Sequence, residues 1–127
     1  MSRQAITTDQ APAAIGAYSQ AMRAGDTLYI SGQIPLDPRN GELIADPEAA
    51  IERVLDNLEA IAEAAGAKLA EQAIKIGVFL TDMGHFPLLN AAMEKRFSTP
   101  YPARAAIEVK GLPKGAVVEM DAVLWLG

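Results

Sequence analysis

The sequence predicts an α+β fold: a mixed β-sheet with two helices packed on one face. Three observations carry that reading. The chain runs strand, strand, helix, strand, helix, strand, strand. Its two helical stretches flank one short apolar run, residues 73–80. That run and residues 117–125 look hydrophobic on both sides. Helices on one face leave the other to be covered elsewhere, and self-association with cyclic symmetry is the economical cover.

Residues 1–16 begin polar and become small and turn-like, with Pro12 and Gly16 breaking any regular element. Residues 18–23 read as a strand, Gly25-Asp26 as a tight turn, and Thr27 to Ser31 as the returning strand of a hairpin. Gly32 marks either a bulge or a close approach of backbone to a ligand. Residues 37–46 form a loop with Asn40-Gly41 as its turn. Asp46, Pro47 and Glu48 then suit the start of a helix, as cap, first residue and first-turn acid. Ile51, Val54, Leu55, Leu58, Ile61, Ala62 and Ala65 recur at helical spacing, and Gly66 is the stop. Glu52, Asp56, Glu59 and Glu63 take the other face and read as solvated surface. Pro87 opens the second helix, which runs to about Phe97 with Leu89, Ala92 or Met93, and Phe97 inward. Phe86 and Asn90 lie four apart and point the same way, although Asn90 also suits a local capping role.

The chain's 127 residues are read as one domain, 1–127. A net charge of −5 weighs against nucleic acid as a partner. There is no cysteine and one histidine, His85, so thiolate chemistry is excluded and a histidine-built metal site or Ser-His-Asp triad is not expected. Neither a signal peptide nor a membrane helix is apparent, and a cytoplasmic location is the expectation.

Chemistry concentrates in residues 102–121. Arg104 stands near the start of an apolar strand, and Glu119 and Asp121 stand on the next. Arg104 is either a neutraliser of these acids or a planar fork for a small carboxylate. A carboxylate in an apolar setting can hold and polarise a water. Glu119 and Asp121 share one strand parity, which leaves the two tied. Tyr18 is either a packing aromatic or a hydroxyl donor to substrate.

The motifs A-P-A-A-I-G-A-Y-S-Q (11–20), Y-I-S-G-Q-I-P (29–35), L-D-N-L-E-A-I (55–61), V-F-L-T-D (78–82), F-P-L-L-N (86–90), P-A-R-A-A-I-E-V (102–109) and L-P-K-G-A-V-V-E-M-D-A-V (112–123) together resemble the RidA (YjgF/YER057c/UK114) family of enamine/imine deaminases. The resemblance implies a chorismate-mutase-like fold of the bacillus type and a homotrimer with its sheets around a central barrel. It implies sites in clefts between subunits. Arg104 would clamp the substrate carboxylate and Glu119 would orient the hydrolytic water. Tyr18, Ser31, Gly32, Phe86, Asn90 and Ala106 would line the cleft. The reaction implied is hydrolysis of 2-aminoacrylate and 2-imino acids to 2-keto acids and ammonia, with neither cofactor nor metal. On this reading Arg104 and Glu119 together make one half of a site, and a neighbouring copy, with its Phe86 and Asn90, supplies the other. The sequence departs from the family pattern at Ala106, where many members place cysteine, at Ala17, where proline is common, and at Lys75-Ile76-Gly77, where a threonine pair is more usual.

Overall fold

The structure, a computed structural model, describes residues 2–127. One sheet of six strands runs in the order β1-β2-β3-β6-β4-β5. The strands are β1 (Arg3–Ile6), β2 (Ala21–Ala24), β3 (Thr27–Gln33), β4 (Ala73–Leu80), β5 (Ala103–Glu108) and β6 (Val118–Trp125). Three helices join them: α1 (Pro47–Ala64), the single turn α2 (Leu69–Gln72) and α3 (Phe86–Arg96). Only β4 and β5 pair in parallel, because α3 carries the chain back between them. The last strand, β6, inserts between β3 and β4 and is antiparallel to both.

Two elements differ from the sequence reading. β1 was read as polar and turn-like, and only Ile6 of its residues is buried. A strand held by backbone pairing to β2 alone shows little side-chain alternation. α2 is a third helix beside the two expected, and it buries only Leu69. β2 begins at Ala21, so Tyr18 belongs to the loop before it.

α1 forms where its signals place it. Asp46 accepts from the Ala49 amide at 3.0 Å. At the other end Gly66 takes a left-handed φ of 79°. The Gly66 amide donates to Glu63 and the Ala67 amide to Ala62, which satisfies the last carbonyls. The α1 stripe packs with Leu89, Ala92 and Met93 of α3 against Leu28, Ile76, Val78, Val118, Met120 and Leu124 of the sheet, all buried.

Glu63 is exposed as read, but Glu52, Asp56 and Glu59 are not merely solvated. Arg96, at the end of α3, donates through Nη2 to Glu52 at 2.7 Å and Asp56 at 2.6 Å, and its Nη1 lies 3.7 Å from Glu59. This fork ties α3 to α1, where sequence spacing showed only a charged face. No helix among the described residues is long and apolar enough to cross a membrane.

The sheet's other face carries no helix. Tyr29, Val123, Lys75 and Ala103 stand in one row there, and Glu119, Phe79 and Ile107 in another. Tyr29, Trp125 and Ile107 on this face are each half exposed or more.

Candidate active site

Arg104 comes from the edge strand β5, in register with Ile76 and, one strand further, with Ala122. Ile76 and Ala122 are buried beneath the helices. Arg104 therefore projects to the helix side. There its guanidinium lies 5.0 Å from the centre of the Phe86 ring. Its Nη1 donates to Asn90 Oδ1 at 3.0 Å and lies 3.6 Å from Met93 Sδ. Asn90 Nδ2 donates to Glu94 at 2.9 Å, so the amide is oriented with its oxygen toward Arg104. Asn90 is thus engaged with side chains rather than with the start of the helix. Among the described residues Arg104 makes no ion pair, and its Nε and Nη2 donors meet no acceptor. That edge of the guanidinium has the geometry of a bidentate carboxylate receptor. Tyr101 and Pro102 complete the shallow cleft around it. Ala106 faces the same way two residues on, half-buried against the core.

Glu119 faces the opposite direction. Its strand neighbours Val118 and Met120 are fully buried on the helix side, so Glu119 points from the helix-free face. β3 bulges beside it: between the pairs Ile30–Ala122 and Gln33–Met120, Ser31 and Gly32 together oppose Asp121. Gly32 is therefore both a bulge residue and a place of close approach. A Cβ there would collide with the Glu119 carboxylate. The Ser31 hydroxyl donates to the Ser19 carbonyl at 2.6 Å, and the Tyr18 hydroxyl accepts from the Ile15 amide at 3.4 Å.

These residues line a cleft of about 370 Å³ with Pro12, Ala13, Ile15, Ile34, Leu36 and Pro113. That volume matches a small molecule, at the low end of ligand sites. Glu119 accepts no hydrogen bond there among the described residues. Burial raises its pKa, and Asp121 raises it further. Asp121 shares its face, as strand parity required, and sits over Gly77, where a Cβ would collide with its carboxylate. Gly77, one of the departures from the family pattern, makes room for an acid.

The expected grouping changes accordingly. Arg104 does not neutralise Glu119 or Asp121, and Arg104 and Glu119 face opposite sides of the sheet. Arg104 groups with Phe86 and Asn90 of its own chain, and Glu119 with Tyr18, Ser31 and Gly32. The sequence reading gave no role to Met93, Tyr101, Ile15 or Pro113 around these clefts. Nor did it single out Asn57, a lone amide amid the apolar stripe of α1.

A family model described as Endoribonuclease L-PSP matches residues 8–125. The chain belongs to this family, the RidA family. This RidA-family chain is 52% identical over 122 residues to the RutC family protein y4sK of Sinorhizobium fredii, which spans 95% of this chain and 96% of the relative. It is 42% identical over 121 residues to the 2-iminobutanoate/2-iminopropanoate deaminase of Escherichia coli K12, covering 93% of this chain and 94% of the relative. Among solved structures, RidA from an Antarctic Psychrobacter superposes with a TM-score of 0.93 at 48% identity, over 96% of this chain and 98% of the other. The mixed sheet with helices on one face is the RidA fold.

Proposed function

We propose that this RidA-family chain is an imine deaminase, converting reactive 2-aminoacrylate and 2-imino acids to 2-keto acids and ammonia. The observation that carries the reading is the pair of complementary half-sites on opposite faces of one chain. One offers a free guanidinium edge, the other an unpaired, half-buried carboxylate above an apolar cleft. In the proposed assembly, a cyclic homotrimer covers the helix-free faces and seats the Arg104 edge of one copy against the Glu119 cleft of the next. The substrate's carboxylate lies on Arg104 and its C=N carbon near Glu119.

The chemistry needs little more. The imine carbon is electrophilic, and more so when its nitrogen is protonated. Glu119 holds a water and takes its proton as the oxygen adds to that carbon. The resulting carbinolamine nitrogen is protonated, the C–N bond breaks, and ammonia leaves as C=O forms. Orientation and charge stabilisation supply the acceleration, and no covalent intermediate is required. Ala106, two residues after Arg104, brings no ionisable group to the site, so proton transfer falls to Glu119 and its water.

The relative from E. coli, named a 2-iminobutanoate/2-iminopropanoate deaminase, supports the reading. The test is release of 2-keto acid from 2-aminoacrylate generated by a dehydratase, wild type against Arg104→Ala. Acceleration over buffer that Arg104→Ala abolishes supports it. Tight binding of 2-keto acids without turnover would replace it with a carboxylate-binding role. RNA cleavage that persists in Arg104→Ala and Glu119→Ala would point to a different site altogether.

A further inference from the structure

The floor of the Glu119 cleft is sheet, but its two lips are loops. Pro12, Ala13 and Ile15 form one lip, and Ile34 and Leu36 the other. Loops are the mobile part of a scaffold, and a reaction that depends on orientation needs them fixed. Beneath each lip lies a buried side-chain amide.

Asn57 sits in the apolar stripe of α1 and is fully buried. Its Nδ2 donates to the carbonyls of Ile34 at 3.3 Å and Leu36 at 3.0 Å. Its Oδ1 accepts from Arg53 Nε at 3.1 Å and Nη2 at 2.9 Å. Arg53 thereby fixes which end of the amide faces the lip. Gln20 is buried under the other lip. Its Nε2 donates to the carbonyls of Thr8 at 3.0 Å and Pro12 at 2.8 Å, and its Oε1 accepts from the Thr8 amide at 2.7 Å.

Packing alone gives no reason for these amides. A leucine at position 57 would continue the stripe of Val54, Leu58 and Ile61 and avoid desolvating an amide. What leucine lacks is a donor for carbonyls that a buried loop must otherwise satisfy. Asn57 spends its donor on two lip carbonyls, and Gln20 spends its own on the lip carbonyl of Pro12 and on Thr8 and Ala11 in the segment leading into that lip.

We propose that Asn57 and Gln20 are positioning residues of the Glu119 cleft. They hold its two lips at fixed separation and so set how the imine lies over the water and how large a side chain the cleft accepts. The proposal rests on the deaminase reading of that cleft.

The experiment compares wild type with Asn57→Leu, Asn57→Asp and Gln20→Leu. Substrates are 2-aminoacrylate-derived imine and the imine of a branched aliphatic amino acid, made by an amino-acid oxidase. Amide hydrogen exchange is followed in parallel. The expected result is a kcat lowered about tenfold or more, as for a small misplacement of reacting groups, with KM changing less. The ratio of rates on the small and bulky imines should shift. Asn57→Asp, which keeps an oxygen for Arg53 but turns an acceptor toward the lip carbonyls, should be as impaired as Asn57→Leu. Exchange should rise in residues 34–36 for the Asn57 variants and in residues 8–15 for Gln20→Leu, while β4 and β6 stay protected. Folded variants with wild-type kcat and substrate ratio would overturn the proposal, as would Asn57→Asp behaving like wild type. If wild type turns over neither imine, the deaminase reading fails instead. Lip exchange then decides the positioning role, and unchanged exchange in Asn57→Leu and Gln20→Leu overturns it.

Discussion

Arg104 and Glu119 leave the same sheet in opposite directions. Arg104 stands in a row with Ile76 and Ala122, beneath the helices, and Glu119 in a row with Phe79 and Ile107, on the helix-free face. Each has the local environment of a functional group: a guanidinium with an unused edge, and a carboxylate whose pKa is raised by burial and by Asp121. Among the described residues neither forms an ion pair.

Arg104→Lys should weaken turnover although it keeps the charge. Lysine offers no planar pair of donors and no flat face for Phe86. Losing one hydrogen bond to a charged group costs about 1.5–3 kcal/mol, so kcat/KM should fall roughly ten- to hundredfold. Steady-state kinetics on a 2-imino acid check this, and 2-keto acid affinity should fall in parallel.

Glu119 should make both rate and stability depend on pH. As a base it works deprotonated, so kcat/KM should rise with pH through an inflection above the ordinary glutamate value of about 4.3. Stability runs the other way. The raised native pKa means that the folded chain holds this proton more tightly than the unfolded chain. Its contribution is complete below the ordinary glutamate pKa and is lost as pH rises through the native value. Glu119→Gln should therefore be more stable than wild type at neutral pH, with the difference vanishing in acid. Denaturant titrations at several pH values check the sign.

Gly32→Ala should act through Glu119. The added Cβ meets the Glu119 carboxylate first and displaces it. Stability should change by less than about 1 kcal/mol, while kcat falls toward that of Glu119→Gln. In a double-mutant cycle the two substitutions should be strongly non-additive, since both remove the same positioned group.

Much of this was legible in the sequence because it is written locally. The cap at Asp46, the stop at Gly66 and the apolar stripe between them fix α1 from neighbouring residues alone. β4 was readable because its apolar run is too short for a helix, with Ile76, Val78 and Leu80 alternating into the core. Phe86 and Asn90 converge on Arg104 as their helical spacing implied. The partition of the site was not legible. Strand parity relates Glu119 to Asp121 on one strand, but the faces of β5 and β6 are related only through their registers on β4. Likewise Glu52, Asp56 and Glu59 read as surface, because Arg96 reaches them from a distant part of the sequence. β1 escaped because its exposed residues carry no alternation.

Arg96→Ala should loosen α3 on α1. It removes the shared partner of Glu52, Asp56 and Glu59 and leaves the three acids facing one another. A loss of about 2 kcal/mol is expected. Thermal or denaturant unfolding checks it.

The central claim is that a working site takes Arg104 from one copy and Glu119 from another. The direct test is to mix equal amounts of Arg104→Ala and Glu119→Ala chains, each inactive alone, unfold and refold them together, and measure deaminase activity. In a ring of randomly mixed subunits, an intact Arg104 meets an intact Glu119 at about a quarter of the interfaces, so about a quarter of wild-type activity should return. Mixed oligomers that form and remain inactive would contradict the shared site.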